Sequence, residues 1–333
     1  MDDYRSVAMP RSYRPRSQEG RAVTPTNALS FDLEHWYSAT LLREDVTDPV
    51  VHVARSTEIV LELLDRHGVT ATFYVVGEIA DARPDLVARI AAAGHEIGSH
   101  GHTHRPLFEL SPEGFREELE RSADAIAAAT GDRPRGFRAP NFSVTPATAW
   151  AFAMLADAGF EYDTSVFPVR TPMYGVRGAP LHPYAVDPDR PFADGGPPRH
   201  DALTEVPVAV FHPRARLPIA GGFYARLLPV RVVKRGIRTL NARGIPATLY
   251  FHPWEFNPDV RTEIRDVPVS ASARFVSARG IDTLAAKLEC LLDSFAFGPV
   301  EALVPGDRRG RSKRSFPGID DPDRRALDHR ARG

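Results

Sequence analysis

Short strand-like runs alternate with helix-patterned segments along this chain, and five of the runs end in clusters of acidic, basic or imidazole side chains. That rhythm constrains the fold more than any other feature. Residues 28–32, 71–76, 95–99, 136–138, 162–165, 205–210 and 247–251 read as strands or extended segments. Between them, residues 53–67 carry Val53, Ile59, Val60, Leu63 and Leu64 at helical spacing and stop at Gly68. Residues 84–93 open on a first-turn proline and close before Gly94. A helix over 111–130 takes Ser111 as its N-cap, and further helices are predicted over 145–159, 227–243 and 283–294. Strand and helix in alternation imply a mainly parallel sheet with covering helices. About seven such units predict an α/β fold of the distorted (β/α)7-type barrel class, with its active site at the C-terminal strand ends.

The strand ends bear this prediction out chemically. The first run ends in Asp32-Leu33-Glu34-His35, and a later one is followed by His100-Gly101-His102-Thr103-His104. Then come Arg138-Ala139-Pro140-Asn141, Asp163-Thr164-Ser165 and His252-Pro253-Trp254-Glu255. Imidazole is the commonest metal-ligating side chain, so three histidines in five residues at a strand end point to a metal site.

A chain of 333 residues is ample for a buried core. Its net charge of -1 gives no global field for nucleic acid. The single cysteine, Cys290, lies in an apolar helical pattern and reads as a packing residue, which makes a reducing compartment the simpler expectation. No signal peptide is visible and no window reaches about 18 apolar residues, so the cytoplasm is expected. Residues 1–26 and 301–333 read as disordered tails and 27–300 as one barrel domain. The Pro- and Gly-rich stretch 169–201 reads as a lid or binding loop at the rim. The oligomeric state is not legible.

At five segments the chain resembles the polysaccharide deacetylase family, the NodB-homology carbohydrate esterases. Within it, the chain looks most like members of bacterial exopolysaccharide gene clusters that carry a C-terminal extension. The segments are Ser30 to Tyr37, Ser99 to His104, Phe137 to Ser143, Tyr162 to Ser165 and Tyr250 to Glu255, in the family's order. The resemblance implies metal-dependent removal of an N-acetyl group from an amino sugar, in a polysaccharide or its precursor. It implies Asp32 as the base aspartate, His100 and His104 as metal ligands, and His102 at a variable position. Many members have two adjacent aspartates in the first motif, whereas here Glu34 follows Asp32 by two residues. Two steps along a strand return to the same face, so Glu34 is expected to complete the metal shell, with His35 as the fallback.

The chemistry suits these residue types. Two imidazoles and a carboxylate suit Zn2+, with Co2+, Ni2+ or Fe2+ as other occupants. Asp32 is expected to act as general base, with Arg138 holding it ionised. His252 is expected to protonate the leaving amine, with Asp163 setting its tautomer. Trp36, Tyr37, Asn141 and Trp254 are expected to contact the sugar. The partner is then an N-acetylated sugar. Two other readings use the same barrel: an allantoinase-like cyclic amide or imide hydrolase, and a glycan-binding barrel without catalysis.

Overall fold

The structure is a computed structural model that describes residues 25–39, 41–169, 171, 174–211 and 216–305. Most of both predicted tails lies outside the described residues. Among the described residues, eleven strands run in chain order as β1 Asn27–Leu33, β2 Thr72–Val75, β3 Glu96–Ser99, β4 Gly136–Phe137, β5 Tyr162–Asp163, β6 Tyr184–Ala185, β7 Thr204–Glu205, β8 Val210–Phe211, β9 Leu217–Pro218, β10 Thr248–Phe251 and β11 Phe297–Gly298. The helices are α1 Val53–Arg66, α2 Gly77–Ala82, α3 Pro84–Ala92, α4 Pro112–Thr130, α5 Ala151–Asp157, α6 Gly222–Leu227, α7 Val230–Asn241, α8 Pro258–Asp266, α9 Ala271–Ala278 and α10 Ile281–Leu292.

The main sheet has the order β10-β1-β2-β3-β4-β5-β7-β6, with β11 also on β1. Every pairing in it is parallel except β6 with β7. The strand ladder does not close on itself. Beyond β7, the Ala209 N–H donates to the Thr248 carbonyl of β10 at 2.9 Å, which ties the two sides together. The result is a curled half-barrel with helices outside it, the distorted (β/α) barrel class expected from the alternation.

Side-chain alternation along β1 explains how the site is built. Leu29, Phe31 and Leu33 belong to the main core, with Val60, Leu63 and Leu64 of α1. Ala28, Ser30 and Asp32 take the opposite face. There Ala28 packs with Tyr74, Tyr162, Val206, Val300 and Val304. Glu96 is half-buried beside this cluster, where it accepts from Tyr162 Oη at 2.6 Å and from the Glu301 N–H at 3.1 Å. Burial, and then the Glu301 charge, push its pKa up to about 7. Residues 301–305 thus belong partly to the packed body, since Val304 is buried and Glu301 pairs with Arg135 at 2.8 Å.

Other departures from the predicted elements have local causes. The helix expected over 145–159 is a 3-10 turn, Pro146–Thr148, followed by α5, because Thr145 and Thr148 form a reciprocal capping box. The helix expected over 227–243 begins at α7, because Pro229 cannot continue α6. Stretch 169–201 is not a loose lid. Val176, Ala179, Tyr184 and Val186 are buried in a second core with Phe137 and Leu155, and β6 adds to the sheet edge. Cys290 is half-buried on α10. No helix among the described residues is long and apolar enough to cross a membrane.

Candidate metal and catalytic centre

The loop after β3 carries the histidines. Gly101 takes φ +74° and His104 takes φ +59°, so the chain turns sharply and both His100 and His104 face β1. Their rings lie 5.1 Å apart. His104 Nε2 is 2.5 Å from Glu34 Oε2. Ligand atoms of Glu34, His100 and His104 all fall within 4.8 Å of one another, and all three residues are buried. His100 Nδ1 lies 2.7 Å from the Arg138 carbonyl. A proton on Nδ1 satisfies that carbonyl and leaves the Nε2 lone pair free, as a metal-ligating imidazole requires. Burial pushes the His100 pKa down to about 4, so the ring is neutral at pH 7. Burial alone would raise the Glu34 pKa, but the neighbouring imidazoles of His104 and His252 outweigh it and hold the carboxyl below its ordinary range. Trp254 Nε1–H donates to Glu34 Oε1 at 3.2 Å. Two imidazole nitrogens and a fixed carboxylate oxygen form a donor set that fits a divalent transition ion.

His35 stays out of the trio. Its ring stacks on Tyr37 with centroids 4.8 Å apart and planes 7° apart. β1 ends at Leu33, and there the Glu34 N–H turns back onto the Asp32 carbonyl at 3.1 Å, so Glu34 meets the histidine pair and His35 does not.

Asp32 is buried and its Oδ1 accepts from Arg138 Nη1 at 2.6 Å. Arg138 is fully buried. It also donates to Ser30 Oγ at 2.9 Å and to the Thr164 hydroxyl and carbonyl at 3.2 and 3.3 Å. The Tyr74 ring lies 4.4 Å beneath its guanidinium. His252 Nε2 stands 4.0 Å from Asp32 Oδ2 and 3.7 Å from Glu34 Oε1, on the open side of the cluster.

The partner of His252 corrects the sequence expectation. Its Nδ1 faces Glu255 Oε2 at 3.1 Å, not Asp163. Asp163 is fully buried away from that ring. It accepts from Ser165 Oγ at 2.5 Å and shares a hydrogen bond with Glu205. Burial pushes the Asp163 carboxyl up to about 6 and drives Glu205 well above its usual value, so this pair favours sharing a proton. Register explains the difference, because Asp163 and Glu205 are directly opposed on parallel β5 and β7. Glu255 is in turn held by Arg226 Nε at 3.0 Å. Arg226 is anchored by the carbonyls of Val276, Ser277 and Arg279 at 2.7 to 3.0 Å. A Cβ at Gly222 would come within 1.7 Å of Glu255 Oε2, so only glycine lets α6 approach this carboxylate.

Burial alone would lower the His252 pKa. The Glu34 charge, then the hydrogen bond and charge of Glu255, overcome this and raise it to about 9. The folded pKa thus lies above the ordinary 6.5. The stabilisation from the charged ring is complete below about pH 6.5 and is lost as pH rises through about 9. In the metal-free protein, a Glu255→Gln substitution is expected to lower the His252 midpoint, read by NMR of its ring protons. An unchanged midpoint would show that Glu255 does not set the charge of this ring.

Two residues expected to contact sugar are placed otherwise. Trp36 is 1% exposed, packs with Leu42, Trp254 and Val260, and donates its Nε1–H to the Val50 carbonyl at 2.9 Å. Trp254 is buried too, stacked on His252 with centroids 5.4 Å apart, so it braces Glu34 and His252. Their large apolar rings are absorbed by the layer that α8 and α9 complete, two helices that periodicity had not shown. Tyr37 is half-buried and Asn141 sits at φ +57° in the turn after Arg138, so both stay near the rim. Sequence reading passed over Arg226 and Glu118. Glu255 had a legible cue, since a Glu three residues after His252 can reach back to its N–H, and it does so at 3.0 Å.

Residues 41–162 match the family model described as polysaccharide deacetylase, and residues 164–305 match a domain of unknown function, DUF3473. Through residues 41–162 the chain carries the polysaccharide deacetylase homology. A peptidoglycan-N-acetylglucosamine deacetylase of Bacillus cereus is 33% identical over 81 residues, which are 24% of this chain and 30% of that protein. A chitooligosaccharide deacetylase of Bradyrhizobium sp. is 38% identical over 82 residues, 24% of this chain and 37% of that one. The chain thus spans about a third of the length of these curated relatives. A solved structure described as a candidate polysaccharide deacetylase from Mycobacterium smegmatis aligns with TM-score 0.51 at 22% identity, over 86% of this chain and 91% of that one. An allantoinase structure aligns with TM-score 0.55 at 16% identity, over 90% and 94%. At such identities both alignments show the fold alone.

Proposed function

We propose that this protein is a metal-dependent hydrolase that removes the acetyl group from an N-acetylated amino sugar, in a polysaccharide or its precursor. One observation carries the reading. A Glu34/His100/His104 donor trio, a carboxylate held by a buried arginine, and an imidazole held in its charged form by Glu255 all meet at one barrel rim. A glycan-binding barrel without catalysis would not need His100 and His104 turned toward Glu34.

Glu34, His100 and His104 would hold a divalent ion, which would supply Lewis acidity toward water and the amide carbonyl. The protein's own groups do the rest. Asp32 takes a proton from the attacking water, while the 2.6 Å hydrogen bond from Arg138 holds its carboxylate in place. The water oxygen adds to the carbonyl carbon. The C–N bond then breaks as His252 Nε2 delivers its proton to the departing amine nitrogen, leaving acetate and a free amino sugar. Glu255 and Arg226 keep that imidazole charged and aimed. Tyr37 and Asn141 are positioned to meet the sugar.

The test measures acetate release from chitooligosaccharides and an N-acetylated cell-wall polysaccharide, and ring opening of allantoin to allantoate, with purified protein loaded with Zn2+, Co2+ or Ni2+. Acetate from a sugar substrate supports the reading. Turnover of allantoin alone transfers the site to cyclic amides.

A further inference from the structure

The third histidine of the cluster, His102, ligates nothing in the trio. Its ring packs against α2, where a Cβ at Gly77 would lie 2.3 Å from its Nδ1. Its Nε2 is 3.8 Å from Asp81 Oδ2. The chain between the two facing histidines is held by every polar group that can reach it. From one side, the N–H groups of Gly77 and Glu78 donate to the carbonyls of Gly101 and His102 at 2.9 and 3.0 Å. From the other, Glu118 of α4 is buried against the loop. Its Oε2 accepts from the His102 and Thr103 N–H groups at 2.7 and 2.8 Å, and its Oε1 accepts from Thr103 Oγ1 at 2.7 Å.

The next residue is His104, at φ +59°. A non-glycine residue rarely adopts this left-handed conformation, and it persists where the surroundings over-determine it. Five hydrogen bonds within three residues do so here. Glu118 contributes three of them and has no other hydrogen-bonding partner among the described residues, so its side chain is committed to this loop.

We propose that Glu118 is the positioning residue of the histidine loop, holding the 102–103 turn so that His104 faces Glu34 before an ion arrives. His102 then serves as the loop's anchor on Gly77, which explains a histidine in the cluster that is not a ligand. The proposal rests on the metal-site reading above and deepens it. Ordering the loop in advance removes its entropy cost from metal binding, so loss of the clamp should appear in affinity.

Two measurements on the full chain, neither of them activity, test this. First, in the metal-free protein, the His102 and Thr103 amides should exchange slowly with solvent, and Glu118→Ala should release them. Second, Zn2+ affinity, read by competition with a chromogenic chelator, should fall about 10- to 100-fold in Glu118→Ala. It should fall less in Thr103→Val, which removes one bond of the three. Glu118→Gln keeps an oxygen for the two amides and should restore most of the affinity. Ile126→Ala, in the core face of the same helix, should lower the melting temperature without changing the affinity of folded protein. Free exchange of the wild-type amides, or Zn2+ affinity unchanged in Glu118→Ala, overturns the proposal. Tight Zn2+ binding with no acetate release would instead sink the deacetylase reading and leave the clamp standing.

Discussion

An Asp32→Asn chain is expected to retain its metal and lose roughly 10²- to 10⁴-fold in kcat, the range for removing a positioned general base. Asparagine keeps the shape of aspartate but cannot take the water's proton. The substitution also strips the counter-charge from Arg138, which would keep only Ser30 and Thr164 as hydrogen-bond partners. Breaking a buried pair in this way costs about 3–5 kcal/mol, because it leaves an uncompensated charge inside the protein. The melting temperature should therefore fall together with kcat. Acetate release and metal content measured on the same preparation separate the effects. Activity within a few-fold of the wild type would remove Asp32 from the base role.

Arg138→Met should produce the second large loss, again about 3–5 kcal/mol by chemical denaturation. Asp32 would then be a buried carboxylate without its 2.6 Å partner, and the Thr164 carbonyl would lose a donor. Arg138→Lys should recover little, since one ammonium cannot reproduce a planar fork that reaches Asp32, Ser30 and Thr164 together. The losses of Asp32→Asn and Arg138→Met should not add in the double variant, because each removes the same pair. Additive losses would mean that Arg138 stabilises the barrel independently of the base.

Much of the barrel was legible because its elements are locally consistent. β2 and β10 are β-branched and aromatic runs, α1 and α3 carry regular apolar spacing, and α4 adds a Ser111 cap. What escaped reading depends on distant contacts. α8 and α9 have an apolar face that makes sense only against Trp36 and Trp254, far away in sequence. α6 is a short helix whose Gly222 matters only because Glu255 comes against it.

The candidate site divides in the same way. Strand periodicity favoured Glu34 over His35, and Glu34 does lie with the histidine pair, although a turn just past the end of β1 brings it there. The pairing of Arg138 with Asp32 followed from opposite charges at strand ends that share one rim. The partner of His252 did not follow, because Asp163 and Glu255 both stand beside motif residues and only the strand register tells them apart. That register opposes Asp163 to Glu205 and leaves Glu255, on the same turn as His252, to meet the imidazole. The tryptophans looked like sugar platforms from chemistry alone, and only burial shows that they brace the site from behind.

The central claim is that Glu34, His100 and His104 hold a divalent ion on which acetate release depends. Metal per chain and acetate released, measured together for the wild type and for His100→Ala, test it most directly. The account predicts about one divalent ion per wild-type chain, with both the ion and the activity lost in His100→Ala. A wild-type chain that releases acetate without metal, or a His100→Ala chain that keeps both, would contradict it.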